Sequence, residues 1–133
     1  MLLVDASVWV AASDPGDRFN TASRGIVLDF SRPVAAMDLT LYEVANALGA
    51  RRGEPEAAHY LCRMILARCD DRLTAVDADL IDFALEIAAE HRLTAYDAAY
   101  VAAARRYGWD LVSADVADLV SRGLAVAPDG ISA

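Results

Sequence analysis

Four acidic residues, Asp5, Glu43, Asp97 and Asp115, stand at comparable places in a chain of 133 residues. Asp5 closes the apolar run Leu2-Leu3-Val4. Glu43 and Asp97 fall near the starts of helical patterns, and Asp115 lies just past the apolar stretch ending at Ser113. In open α/β sheets ligands bind outside the carboxyl ends of the strands, at the switch point of the topology. Strand ends and the helix starts that follow them share that edge, so the four carboxylates are expected to converge on one pocket. Acids packed that closely repel, and some would protonate without a counter-ion. A divalent cation removes the conflict. Mg²⁺ or Mn²⁺ takes oxygen ligands, keeps several waters, polarises a phosphoryl oxygen and makes a ligated water more acidic. The chemistry expected is phosphodiester hydrolysis without a covalent intermediate.

Each acid also has a purely local reading. Thr40-Leu41-Tyr42-Glu43 and Thr94-Ala95-Tyr96-Asp97 have the spacing of capping boxes. Asp5 and Asp115 are each placed to cap the helix that follows. Capping accounts for every acid singly but not for their common edge. The two roles are compatible, because a helix N-terminus favours the anionic form of a carboxylate.

The elements that must position these acids alternate between strand-length apolar runs and helical patterns, which predicts an α/β fold with a mainly parallel sheet. Strands are expected at 2–4, 33–37, 73–76, 110–113 and 124–127. Helices are expected at 7–12, 18–30, 39–52, 55–69, 77–91, 94–107 and 115–122. Ser7 is the expected cap of the first helix, Asp14-Pro15-Gly16 a turn, and Gly53 the stop of the long helix. No repeat or linker divides the chain, so 1–133 reads as a single domain.

The segments VDASVWV (4–10), LYEVANAL (41–48), LTAYDAAYVAAA (93–104) and LVSAD (111–115) together resemble the four motifs of PIN-domain nucleases. The likeness runs from Leu3 to about Val126 and is nearest to the VapC toxins of VapBC toxin–antitoxin pairs. It implies a three-layer α/β/α sandwich with a small parallel sheet, and a metal-dependent endoribonuclease with Asp5, Glu43, Asp97 and Asp115 as catalytic, metal-binding acids. It also implies Mg²⁺ or Mn²⁺ as cofactor, RNA as substrate, a VapB-like antitoxin as partner, and a homodimer. Ser7 matches a hydroxyl beside the first acid, and Ser113 stands where the family commonly has threonine. Asn46 matches a frequent asparagine, which either orients Glu43 or satisfies a buried backbone group. Asp118 is either a fifth acid or a solvent-facing helix residue.

Composition sets limits on this reading. The net charge is −8, and all 12 basic residues are arginine, so RNA must be held locally rather than by a broad basic surface. The pairs Arg51-Arg52 and Arg105-Arg106 end helices, where cations suit the dipole; they are also available to RNA phosphates. The hydrophobic fraction of 56% and mean hydropathy of +0.27 are high, which predicts an apolar patch that needs a partner. No apolar run has the roughly 20 residues of a membrane span, and the first residues lack a basic leader. The expectation is a cytoplasmic protein with Cys62 and Cys69 as reduced thiols. His59 and His91 are expected at the surface. Trp9, Tyr42, Tyr60, Tyr96 and Tyr100 are assigned to core or interface.

Three other readings compete. Asp77-Ala78-Asp79 after a strand resembles the D-x-D of haloacid-dehalogenase-type phosphatases, but those enzymes use a lysine that this chain lacks. A non-catalytic protein-binding module would use the acids only as caps. A housekeeping RNA-processing nuclease of the same fold would share every motif.

Overall fold

The computed structural model describes residues 1–132. Four short strands, β1 (Leu2–Val4), β2 (Val34–Met37), β3 (Leu73–Thr74) and β4 (Asp110–Val112), form a parallel sheet in the order β3-β2-β1-β4. Leu3 pairs with Ala35 on one side and Leu111 on the other. The chain therefore steps outward from β1 to β3 and returns to the far side of β1 with β4. The switch point lies between the carboxyl ends of β1 and β4, where Asp5 and Ser113 follow directly.

Side chains alternate across the sheet with period two. Val4, Val34, Ala36 and Val112 face one layer of helices: α1 (Ala6–Ser13), α2 (Asn20–Val27), α3 (Asp38–Val44) and α4 (Pro55–Cys69). Leu3, Ala35, Met37 and Leu111 face the other, α5 (Ala78–His91) and α6 (Ala95–Tyr107). The molecule is a three-layer α/β/α sandwich. Ala98, Ala102 and Ala103 of α6 are fully buried. Their small side chains let that helix sit close to the sheet, so much of the alanine content is core.

The first strand falls where expected, at Leu2–Val4, whereas the others are shorter than their apolar runs for local reasons. β3 stops at Thr74 because its partner residue, Met37, is the last of β2, and the chain turns into α3 at Asp38. Ala75 and Val76 have no strand to pair with. The run 124–127 makes a single parallel bridge, Val126 to Val112, before Pro128 opens a 3₁₀ turn. The expected helix 39–52 begins earlier, at Asp38, and changes character after Val44. Residues Ala45–Arg51 form a π-helical stretch, in which each N–H reaches one residue further back than in an α-helix. Gly53, at φ +67°, follows as the expected stop.

Before β2 the chain is held by Arg68, which is 5% exposed. Its guanidinium donates to the carbonyls of Val27 (2.8 Å), Asp29 (2.7 Å) and Arg32 (2.6 Å). A buried cation is tolerated here because three backbone acceptors replace its water. Cys62 and Cys69 are free thiols. His59 is exposed as expected, whereas His91 is half-buried. No helix among the described residues is long and apolar enough to cross a membrane.

Candidate active site

Asp5 leaves β1 in extended conformation and caps α1, with its carboxylate accepting from the Val8 N–H at 3.4 Å. The expected cap, Ser7, has a different task. Its hydroxyl donates to Asp5 Oδ1 at 2.5 Å, accepts from the Ala114 N–H at 2.9 Å, and lies 3.3 Å from the Ser113 hydroxyl. Ser113 in turn accepts from the Asp115 N–H at 3.0 Å. These bonds stitch the carboxyl ends of β1 and β4 together. Asp5 is only 4% exposed. Burial pushes its carboxyl up to about 7; hydrogen bonds from Ser113, Ser7 and Val8 pull it back, and the charge of Glu43 raises it.

Glu43 lies in the second turn of α3, so it does not form the expected capping box with Thr40. Thr40 Oγ accepts from the Met37 N–H at 3.1 Å and meets the Tyr100 hydroxyl at 2.7 Å. Tyr100 donates onward to Glu43 Oε1 at 2.8 Å. The donors run in one direction, from Met37 N–H through Thr40 and Tyr100, and end on the carboxylate. A chain of this kind strengthens each of its members in a low-dielectric interior. Burial raises the Glu43 carboxyl, the Tyr100 bond lowers it, the charge of Asp97 raises it, and Arg51 lowers it. Tyr100→Phe should cost about 1–3 kcal/mol, since it strands the buried Thr40 hydroxyl and frees Glu43. Urea denaturation of the two proteins measures the difference.

Asp97 sits in the first turn of α6, where the Thr94 hydroxyl caps the Asp97 N–H at 3.1 Å. Its carboxyl is raised by burial and by the charges of Asp115 and Asp118, with Thr94 opposing. Asp115 caps the short π-helical turn Val116–Val120 by accepting from the Asp118 N–H at 3.0 Å. That turn swings Asp118 toward the others. One carboxylate oxygen each from Asp97, Asp115 and Asp118 lies within 4.8 Å of the other two. Asp118 is exposed and also pairs with Arg122 at 3.7 Å, so it is at once solvent-facing and part of the acidic group.

Glu43, Asp97, Asp115 and Ser7 line one cleft of about 690 Å³. Asp5 lies behind the wall that Ser7 forms. Asn46 is exposed, and no hydrogen bond joins it to Glu43 or to a buried backbone group among the described residues; neither role expected for it is seen. It faces an adjoining cleft. Sequence reasoning placed Tyr100 in core or interface, and the fold does bury it, but it missed the link to Glu43. The only signal was a polar-tipped aromatic on an alanine-rich helix face. Asp77, read as half of a D-x-D pair, caps α5 through Leu80 N–H and is held by Arg106 at 3.0 Å.

The donor set suits a hard cation. The cleft wall carries the carboxylates of Asp17, Glu43, Asp97 and Asp115 beside the guanidiniums of Arg51 and Arg52, with no thiol or imidazole among them, and Asp97, Asp115 and Asp118 offer oxygens at ligand spacing. Oxygen-only sites of this kind select Mg²⁺, Mn²⁺ or Ca²⁺ over softer metals.

Fold and cleft define an α/β/α sandwich with carboxylates gathered at its switch point. The PIN domain family profile matches residues 2–117. The chain is also 35% identical over 119 residues to Ribonuclease VapC3 of Pyrobaculum aerophilum, covering 86% of this chain and 88% of that one. The chain belongs to the PIN domain family. Among solved structures it resembles Mycobacterium tuberculosis VapC20, a Sarcin-Ricin loop cleaving toxin, with a TM-score of 0.74 at 24% identity over 92% of this chain and 95% of that one. It also resembles a chain of a toxin-antitoxin complex from Klebsiella pneumoniae, with a TM-score of 0.67 at 15% identity over 98% of this chain and all of that one.

Proposed function

We propose that the chain is an endoribonuclease, acting as one domain over residues 1–133, and that it is the toxin of a toxin–antitoxin pair. The observation that carries the reading is the convergence of Glu43, Asp97 and Asp115 on one cleft with Asp5 beneath it. The relationship to a named ribonuclease supports the choice of RNA. Asp97, Asp115 and Asp118 would hold a Mg²⁺ or Mn²⁺ ion, with Glu43 and Asp5 completing the negative field. When bound, that ion supplies Lewis-acid activation of water and of the phosphoryl group.

The chain's own groups have separable tasks. Tyr100 keeps Glu43 as an acceptor pointing one way. Ser7 and Ser113 fix Asp5 and the Asp115 backbone, so the two strand ends cannot drift apart. The Thr94 cap at the start of α6 opposes the burial and neighbouring charges that raise the Asp97 carboxyl. Cleavage of labelled single-stranded RNA should require Mg²⁺ or Mn²⁺ and stop in excess EDTA. Full cleavage in chelator would exclude this mechanism.

The partner reading has its own support. A groove of about 470 Å³ runs between the end of α1, α2 and α4, lined by Val27, Leu28, Tyr60, Leu61 and Met64 among others. Tyr60 is 73% exposed there. It is the apolar patch that the composition leads one to expect, and it suits an apolar helix of an antitoxin. A basic side chain from that partner would be drawn to the acidic cleft and slow to leave it. Two copies of the chain are proposed to pair; sedimentation tests the stoichiometry.

A further inference from the structure

Beside the acidic cleft lies a second one of about 590 Å³, walled by Leu39, Tyr42, Asn46 and Tyr96, and sharing Glu43, Arg51 and Tyr96 with the first. Pockets of this size commonly hold small ligands. Tyr42 is 79% exposed and Tyr96 63%, so two aromatic rings border one open space with nothing packed on them. Asn46 adds an exposed amide, able to donate and to accept. Arg51 adds a guanidinium at the junction of the two clefts.

The placement of Arg51 depends on the π-helical stretch. Arg51 is eight residues beyond Glu43. In an α-helix that spacing would put it about 80° further around the axis. A π-turn holds more residues per revolution, so each residue of Ala45–Arg51 advances through a smaller angle and the offset shrinks. Arg51 thus reaches the face that Glu43 occupies, close enough to favour the glutamate's charged form. In a chain of net charge −8, it is a cation set against a cluster of acids.

We propose that Tyr42, Asn46, Arg51 and Tyr96 form a nucleotide-binding subsite, which takes the base and phosphate of the residue flanking the scissile bond of single-stranded RNA. This rests on the ribonuclease reading above. The aromatic rings stack on the base, which any of the four bases allows. Asn46 bonds a base edge. Arg51 holds the adjacent phosphate in a two-point contact that lysine would not reproduce. The subsite answers the charge problem: an acidic protein needs a few local contacts rather than a basic surface.

The test uses the full chain carrying Asp97→Asn to silence cleavage, in Mn²⁺ buffer. It is titrated with a labelled mixed-sequence RNA and with an abasic strand of the same length. Adding Tyr42→Ala should weaken binding of the intact RNA about tenfold, as loss of one stacking ring does, and leave the abasic strand unaffected. Tyr42→Phe should restore the affinity. Arg51→Ala should weaken both strands alike and reduce the salt slope by about one. Tyr42 is so exposed that its truncation does not threaten the fold. If Tyr42→Ala binds both strands as before, the subsite is overturned. If it also converts a dimer to a monomer in sedimentation, the face belongs to protein pairing. Normal cleavage by the unsubstituted chain beside an indifferent Tyr42 removes the subsite alone, whereas absence of all RNA cleavage removes the ribonuclease reading with it.

Discussion

Asp97→Asn, Asp115→Asn, Glu43→Gln and Asp5→Asn should each reduce RNA cleavage by at least about a hundredfold, the order found when one electrostatic contributor to a transition state is removed. Each substitution keeps the shape and a carbonyl acceptor, so the caps at Asp5 and Asp115 persist. Melting curves of the four variants should remain cooperative in metal-free buffer. Asp118→Asn should cost less activity than any of them, because its carboxylate is exposed and shared with Arg122. A purely structural role for the acids predicts the opposite pattern. The amide variants would retain activity, and only alanine in place of Asp5 or Asp115 would lower stability, by about 0.5–2 kcal/mol per lost cap. Cleavage rates and melting points on the same preparations separate the two.

Metal-free protein should lose stability as the pH rises from about 4 to 7, and Asp5→Asn should abolish much of that loss. An aspartate ionises near 4 in an unfolded chain, whereas burial holds Asp5 protonated to about 7 in the fold. The folded state therefore binds more protons across that interval, and raising the pH favours unfolding. Below about pH 4 the carboxyl is neutral in both states and nothing is lost. Above about pH 7 it is charged in both, and the penalty levels off at up to about 4 kcal/mol. In chelator at pH 8 the variant should thus be the more stable protein, by as much as that figure. At pH 4 the two should melt together. Saturating Mn²⁺ should reverse the order at pH 8, since ligand binding stabilises only a fold able to take it. A variant less stable than its parent at pH 8 in chelator would mean that the buried charge of Asp5 does not burden the fold, and would overturn the prediction. Urea titrations at pH 4, 6 and 8 decide it.

Much of the geometry of the candidate site could be read without coordinates. Asp5 and Asp115 were legible because each follows an apolar strand run and opens a helix, which fixes the edge of a parallel sheet they occupy; Asp97 was legible only as an acid in the first turn of a helix, since α6 follows α5 with no strand between. Glu43 was placed on the right helix, but its capping box was misread: the helix starts two residues before Thr40. The hydroxyl chain through Thr40 and Tyr100 was invisible, since it joins residues 57 and 60 apart in sequence. Such contacts follow from packing α6 against α3, which no local pattern encodes. The π-helical stretch was equally hidden. Over seven residues the apolar spacing of a π-turn and an α-turn differ too little to tell apart, and only the hydrogen bonds distinguish them. β3 and the run at 124–127 were overextended because apolar composition reports burial, whereas strand length depends on a partner being present.

Asp5 ties the fate of the gene to the physics of its core. The same buried carboxyl that serves the cleft burdens the fold whenever no ion neutralises it. On the proposed ribonuclease reading, a single codon change to asparagine should remove the activity and relieve the burden together. On the proposed toxin reading, loss of toxicity would need no collapse of the protein. Lineages in which selection on such a toxin has relaxed would then retain silent copies that still fold, still accumulate and still engage their inhibitor. Such copies would act as decoys, drawing the inhibitor away from any active toxin it also restrains, so a decayed gene of this kind would keep a physiological effect after its chemistry is gone.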